Sequence, residues 1–431
     1  MHSKVETGQA TMSRHAAMGT ASDSETPPIS LAILIALVTS VQVLTTFTVL
    51  ALPTLATRAA ATFGHGAEAV GFQISVVYLA AAGLSSIAGL IVKRYGAVMA
   101  SLMALALSGL ALLGVAVGRV EVAVLASLLM GCAYGLTNPA ASHLLLKYAP
   151  RHRQNLIFAV KQTGVPLGAM LAALALPALS ERVGWQMALV LGAVPQLLLA
   201  VPLLRIRGRI DVDRDPSALA GGGMLKGLGL VIANPMMRSL AIMGWAYASF
   251  QLCLLAFIVT MLVQDLGWTL VSAGIMATVM QIGGATGRIA WSLLADRIGR
   301  GHLILVGIGI GSAVLAGLVA VATPAWPVAL LSLVLFCFGF SLVGWNGLWM
   351  AEIARTAGLA NVGLATGGVL VFTYVGIVTG PAAFAAAYRV LGSYGATFGV
   401  FGLLPAFGAL ALLIGTWRAG TDARSAAGSR K

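Results

Sequence analysis

The sequence predicts an all-α membrane protein, with twelve transmembrane helices arranged as two pseudo-symmetric six-helix halves. The first observation behind this is composition. Of 431 residues, 59% are hydrophobic and 9% charged, and the mean hydropathy is +0.95. A soluble domain carries about 25% charged residues, so a soluble globular enzyme is excluded, and so is a disordered chain, which needs low hydrophobicity. The second observation is the spacing of the apolar runs: a bilayer core of about 30 Å takes roughly 20 apolar residues as a helix, and twelve such runs follow one another. The third is that alternating segments of about 10 residues, the mark of a membrane barrel, do not occur.

In chain order, residues 1–28 are rich in Ser, Thr and Gly and end in Pro27-Pro28, which reads as a disordered cytoplasmic tail. The first apolar run is too long for a cleaved signal and is not followed by a small-residue cleavage site, so it reads as a first span. The spans fall at about 30–56, 70–92, 97–118, 122–146, 156–179, 185–204, 237–263, 270–295, 302–322, 326–350, 362–388 and 395–417. Gly and Pro inside them are tolerated because neighbouring helices satisfy freed backbone groups. The longest connection, 205–236, carries the charged stretch Arg205–Asp215 and then Gly221-Gly222-Gly223. It reads as a cytoplasmic linker between an N-terminal half (29–204) and a C-terminal half (237–417), with 418–431 a second cytoplasmic tail. The triple glycine is not followed by the Lys-Ser/Thr of a phosphate loop, so it reads as linker.

There are 26 basic and 13 acidic residues, a net charge of +13. In a soluble protein that excess would suggest nucleic acid. Here 20 of the bases fall in the loops and tails on the terminus side, and four, Arg58, Arg119, Arg182 and Arg389, in the opposite loops. The positive-inside rule then places both termini in the cytoplasm, and the excess is a topology label with no nucleic-acid partner implied. Cys132, Cys253 and Cys337 all lie inside spans without metal-ligand spacing, which points to apolar packing. Neither a metal nor a cofactor is expected. Trp185, Trp268, Trp326 and Trp417 sit at span ends, where aromatic side chains anchor at the interface.

The halves repeat internally. GLIVKRYG (89–96) follows span two and SLLADRIGR (292–300) follows span eight; Gly131 precedes Asn138 in span four as Gly339 precedes Asn346 in span ten, by seven residues each. With these residues the chain resembles the major facilitator superfamily, whose loop signature is roughly G-x-L-x-D-R-x-G-R. The second copy matches at Leu294, Asp296, Arg297, Gly299 and Arg300, with Ser292 in place of the first Gly. The first matches at Gly89, Arg94 and Gly96, with Lys93 where an acid is usual and Ala97 where Arg is usual. The resemblance implies an acid–Arg charge cluster at a cytoplasmic gate, a midplane site drawing on spans one, four, five, seven, eight, ten and eleven, and alternating access by rocking of the halves. KQTGVPLGAM (161–170) is loosely similar to a Gly-Pro motif of family antiporters, while span four lacks the Arg common in proton-coupled members. FAVKQTGVPLG (158–168) and GWNGLWMAEIAR (344–355) resemble stretches of bacterial organic-anion and cyanate-type permeases, which implies a bacterial inner membrane.

Two bases remain inside the spans, Lys161 in span five and Arg288 in span eight, while all 13 acids lie in tails, loops or span ends. A charge near the bilayer centre costs about 2.5–3.5 kcal/mol on insertion scales, so two cations kept without acids suggest a visiting anion. Arg suits bidentate carboxylate contact and Lys a compact point charge. Thr278, Gln281, Ala285, Arg288 and Ser292 form one small-or-polar stripe. Lys161, Gly164, Gly168 and Leu171 share a face with room for a ligand or a close helix. The plainer alternatives are that Lys161 snorkels to the interface and that Arg288 reaches a gate network around Asp296. Further candidates for contact with a substrate are Gln42, Thr45 and Thr46 in span one, Tyr134 and Asn138 in span four, Gln251 in span seven, Trp345 and Asn346 in span ten, and Thr373 and Tyr374 in span eleven. Such groups also simply join helices together.

The sequence therefore points to a monomeric secondary transporter for a small organic anion, a carboxylate first, coupled to a proton or an exchanged anion. An efflux transporter for drugs or metabolites and a non-transporting sensor or assembly subunit are the alternatives. An enzyme is not expected, since His143 has no partner set and no nucleotide or zinc motif occurs.

Overall fold

A computed structural model of the protein describes residues 29–150, 154–217, 224–357 and 362–428. The tail 1–28 and the triple glycine 221–223 lie outside the described residues. Among the described residues twelve helical segments are long and apolar enough to cross a membrane: Leu31–Thr54, Ala67–Ser85, Ala97–Ala116, Val120–Tyr148, Val160–Val183, Trp185–Asp213, Pro235–Gln264, Leu270–Ile298, Gly301–Ala320, Val328–Ala357, Ala365–Leu391 and Tyr394–Arg418, spans one to twelve. No strand occurs among the described residues. The helix of span six runs to Ile210 and a further helix covers Met224–Ala233, so the region 205–236 is in large part helical.

Helix starts follow capping chemistry. Asn234 Oδ1 accepts from the backbone N–H groups of Met236 and Met237 at 2.9 and 3.2 Å, with Pro235 in the first helical position. Ser30 and Thr269 cap spans one and eight in the same way. The two copies of the loop motif each turn at a glycine of positive φ, Gly96 at 100° and Gly299 at 70°.

The repeat seen in sequence is a packing repeat. A Cβ added to Gly131 of span four would lie 2.1 Å from the Val77 carbonyl oxygen of span two; one added to Gly339 of span ten would lie 1.8 Å from the Met280 carbonyl oxygen of span eight. Each half thus seats its fourth helix on its second through a residue with no side chain, the small-residue contact that membrane helices use in place of a hydrophobic driving force.

The core is divided unequally along the membrane normal. On the terminus side each half has its own cluster, around Leu34, Val98, Leu144 and Leu203 in the first and around Leu240, Leu305, Trp345 and Val369 in the second. At the far side one cluster joins both halves, with Leu50, Ile74 and Leu176 in contact with the set that includes Phe250, Phe257 and Phe384. Close approaches between the halves lie there too. A Cβ at Gly71 of span two would be 2.3 Å from the Pro381 carbonyl oxygen of span eleven, and one at Gly274 of span eight 2.0 Å from that of Ala173 in span five. Arg389 Nε stands 3.5 Å from Glu68 Oε1 across the same side. The halves are closed on each other at the side remote from the termini.

Candidate functional site

Spans five and ten are interrupted. Span five is a helix over Gln154–Gln162 and another over Gly164–Val183; span ten runs Val328–Leu342 and resumes at Asn346–Ala357. The first break has a local cause. Pro166 has no N–H, so the Gln162 carbonyl four residues earlier loses its helical donor. Leu167 N–H bonds the Thr163 carbonyl at 3.1 Å, and the Thr163 hydroxyl turns back to the Val160 carbonyl at 2.6 Å.

Lys161 stands at this break and is 3% exposed. Its Nζ donates to Gln42 Oε1 of span one at 2.7 Å, to Asn138 Oδ1 of span four, and to Gln162 Oε1 at 3.2 Å. Gln42 Nε2 donates in turn to Thr46 Oγ1 at 3.2 Å. The three ammonium protons therefore meet three amide oxygens, and the sequence candidates Lys161, Gln42, Thr46 and Asn138 form one hydrogen-bonded group. Lys161 does not snorkel away from the bundle. Gly164 and Gly168 resolve toward close packing: added Cβ atoms there would stand 2.8 Å from Gln42 Cβ and 2.3 Å from the Val43 carbonyl oxygen.

Arg288 of span eight reaches the same break from the other half. Its Nη1 donates to the Gln162 carbonyl at 3.3 Å and its Nε to the Val343 carbonyl, in the interruption of span ten, also at 3.3 Å. It does not join a network at Asp296. Among the described residues no carboxylate pairs with Lys161 or Arg288. Tyr134 lies within electrostatic range of Arg288 and of Tyr374, and its ring is 5.5 Å from that of Tyr78. Gln281 is buried about two helical turns from Arg288 on the same stripe.

The remaining candidates make contacts of their own. Trp345 is fully buried between Tyr247 and Trp349, and its indole N–H donates to Gln251 Oε1 at 2.9 Å. Asn346 Nδ2 shares that oxygen at 3.3 Å. The structure makes this a link between spans seven and ten. Thr45 and Thr373 hydroxyls return to the Val41 and Val369 carbonyls of their own helices. Gln162 and Tyr78 escaped the sequence reading; Pro166 was the signal for the first.

In the loop motifs, Gly89 meets open space and Arg94 lies 5.9 Å over the Tyr95 ring. Asp296, Arg297 and Arg300 are exposed, and none has an ion-pair partner among the described residues. The first copy acquires its acid from elsewhere. Asp211, beyond span six, packs against Gly96 and accepts from the Val98 and Met99 N–H groups, each at 2.9 Å, at the positive end of span three. Asp213 pairs with Lys147 and with His143, both at 3.0 Å. His143 thus has a partner after all, one that sequence spacing hides because it returns 70 residues later.

The sequence profile of the Major Facilitator Superfamily matches residues 32–381. Two proteins named uncharacterized MFS-type transporters, from two strains of Mycobacterium tuberculosis, are each 30% identical over 175 residues. The match covers 39% of this chain and 37% of their length, well under two thirds of those relatives. A mutant of the nucleoside transporter NupG superposes with a TM-score of 0.74 at 17% identity, over 89% of this chain and 99% of that one. A peptide transporter POT in complex with sulfate gives 0.71 at 14% identity, over 92% and 97%. The Escherichia coli fucose:proton symporter FucP gives 0.58 at 15%, over 89% and 98%. At these identities the structures share the fold with this chain.

Proposed function

Because the chain belongs to the Major Facilitator Superfamily, we propose that it is a secondary transporter that moves a small organic anion by alternating access. One observation carries the anionic reading: two cations from opposite halves converge on a single helix break with no carboxylate partner among the described residues. Interrupted helices at a two-half interface are where transporters of this kind place their sites. Arg288 retains guanidinium protons beyond those given to the two carbonyls, and the Asn138 amide keeps its NH2 donors, so the wall of the site offers donors. The three solved structures named above are, by their names, transporters of a nucleoside, a peptide and fucose, so the fold leaves the substrate to these side chains. Loop charge supports cytoplasmic termini, and the resemblance to bacterial permeases supports a bacterial inner membrane; the side at which the halves are closed then faces outward. A proton or a counter-anion supplies the coupling, since a membrane potential negative inside opposes entry of a lone anion by about 2.3 kcal/mol per 100 mV.

The test is flux into proteoliposomes across carboxylates, inorganic anions, nucleosides and sugars, with Arg288→Gln and Lys161→Gln in parallel. Anion uptake that is lost in both variants is the expected result. Uptake of a neutral solute, or anion uptake unchanged in both variants, refutes the assignment.

A further inference from the structure

Both cations of the site hold the same residue. Arg288 Nη1 takes the backbone carbonyl of Gln162 and Lys161 Nζ takes its side-chain Oε1. The carbonyl carbon and Cδ of a glutamine residue are the two ends of a chain of five carbons, Cα, Cβ and Cγ lying between them. That is the carbon skeleton of a five-carbon dicarboxylate. We infer that Gln162 occupies the site as an internal surrogate, and that the substrate is a dicarboxylate of four or five carbons whose two carboxylates replace the two oxygens of Gln162. This inference rests on the anionic reading above and narrows it.

Three features of the geometry support the substitution. The surrogate contacts are long, 3.3 and 3.2 Å, against about 2.7–2.9 Å for a charge-assisted bond to a carboxylate, so ionised oxygens would bind where neutral ones bind loosely. The Gln162 carbonyl is available only because Pro166 removes its helical donor. And Gln162, unlike Lys161 beneath it, is exposed, so its side chain can swing away without disturbing packing and water can meet its backbone carbonyl when a ligand takes Arg288. Two cations without acids also match two negative charges better than one. A monocarboxylate would leave one cation on its neutral surrogate. A dicarboxylate satisfies both.

The experiment uses the full-length protein in nanodiscs at neutral pH and measures equilibrium binding of glutarate, succinate and butyrate, with flux of the same compounds in proteoliposomes. Glutarate and succinate are expected to bind at least about tenfold more tightly than butyrate, the worth of one charged hydrogen-bonded contact. Equal affinity for butyrate overturns the dicarboxylate inference and leaves the anionic reading standing. Absence of binding and flux for all three, with transport of a neutral solute, overturns both. Gln162→Ala removes the competitor on Lys161 and is expected to tighten glutarate binding several-fold; weaker binding shows Gln162 to be a direct contact and refutes the surrogate role. Gln162→Glu, which fixes a carboxylate on Lys161, is expected to abolish glutarate binding while thermal unfolding stays unchanged. Retained glutarate affinity in a folded Gln162→Glu protein counts equally against the inference.

Discussion

Replacing Lys161 by methionine separates a cation kept for a ligand from one kept for the fold. The side chain is 3% exposed and holds three amide oxygens. Removing it orphans Gln42 Oε1, whose residue is fully buried, at about 1–3 kcal/mol. Asn138 and Gln162 are exposed, so water replaces the lost donor at little cost. Against this, an ammonium in the span costs up to about 2.5–3.5 kcal/mol, and methionine relieves it with a similar stem. The two terms nearly cancel. Lys161→Met is therefore expected to unfold within about 2 kcal/mol of the parent, while anion flux is lost. Thermal or denaturant unfolding in detergent, followed by intrinsic tryptophan fluorescence, reads the first, and proteoliposome flux the second. Breaking a buried ion pair costs about 3–5 kcal/mol. A loss of that size in Lys161→Met would mean that the lysine has a structural carboxylate partner, and the reasoning that an anion visits would fail.

The packing repeat makes a paired prediction: Gly131→Val and Gly339→Val should both abolish folded yield by size-exclusion chromatography, whereas Gly317→Ala, with open space around it, should not. Asp211→Ala removes two hydrogen bonds at the start of span three and should lower stability by about 1–2 kcal/mol in the same unfolding assay; no change would deny the acid its capping role. Arg389→Ala breaks an ion pair whose arginine is 55% exposed, so stability should change by less than about 1 kcal/mol. Because that pair spans the closed side, double electron–electron resonance between labels on the two halves should nonetheless show more of the population open there.

The twelve spans and the two halves were legible because the membrane forces every apolar run of sufficient length into a helix, and because Gly131 and Gly339 hold corresponding places. Lys161 and Arg288 were legible for a similar reason, since a charge inside an apolar run needs a cause. What the sequence hid was their meeting point. Trp345 and Asn346 have the residue types of a binding site, yet burial assigns Trp345 to the contact between spans seven and ten, and only tertiary packing decides that. Asp211 and Asp213 read as part of a charged linker, but they serve the spans of the first half, because the chain returns there after span six. Gln162 has no charge and no periodic signal. Its importance comes from the proline four residues later, which makes one backbone carbonyl available, and from an arginine 126 residues away that takes it. In a bilayer a freed carbonyl must find a donor, so each intramembrane proline names a candidate acceptor, and the unpaired cations of the same bundle are the donors to try against it.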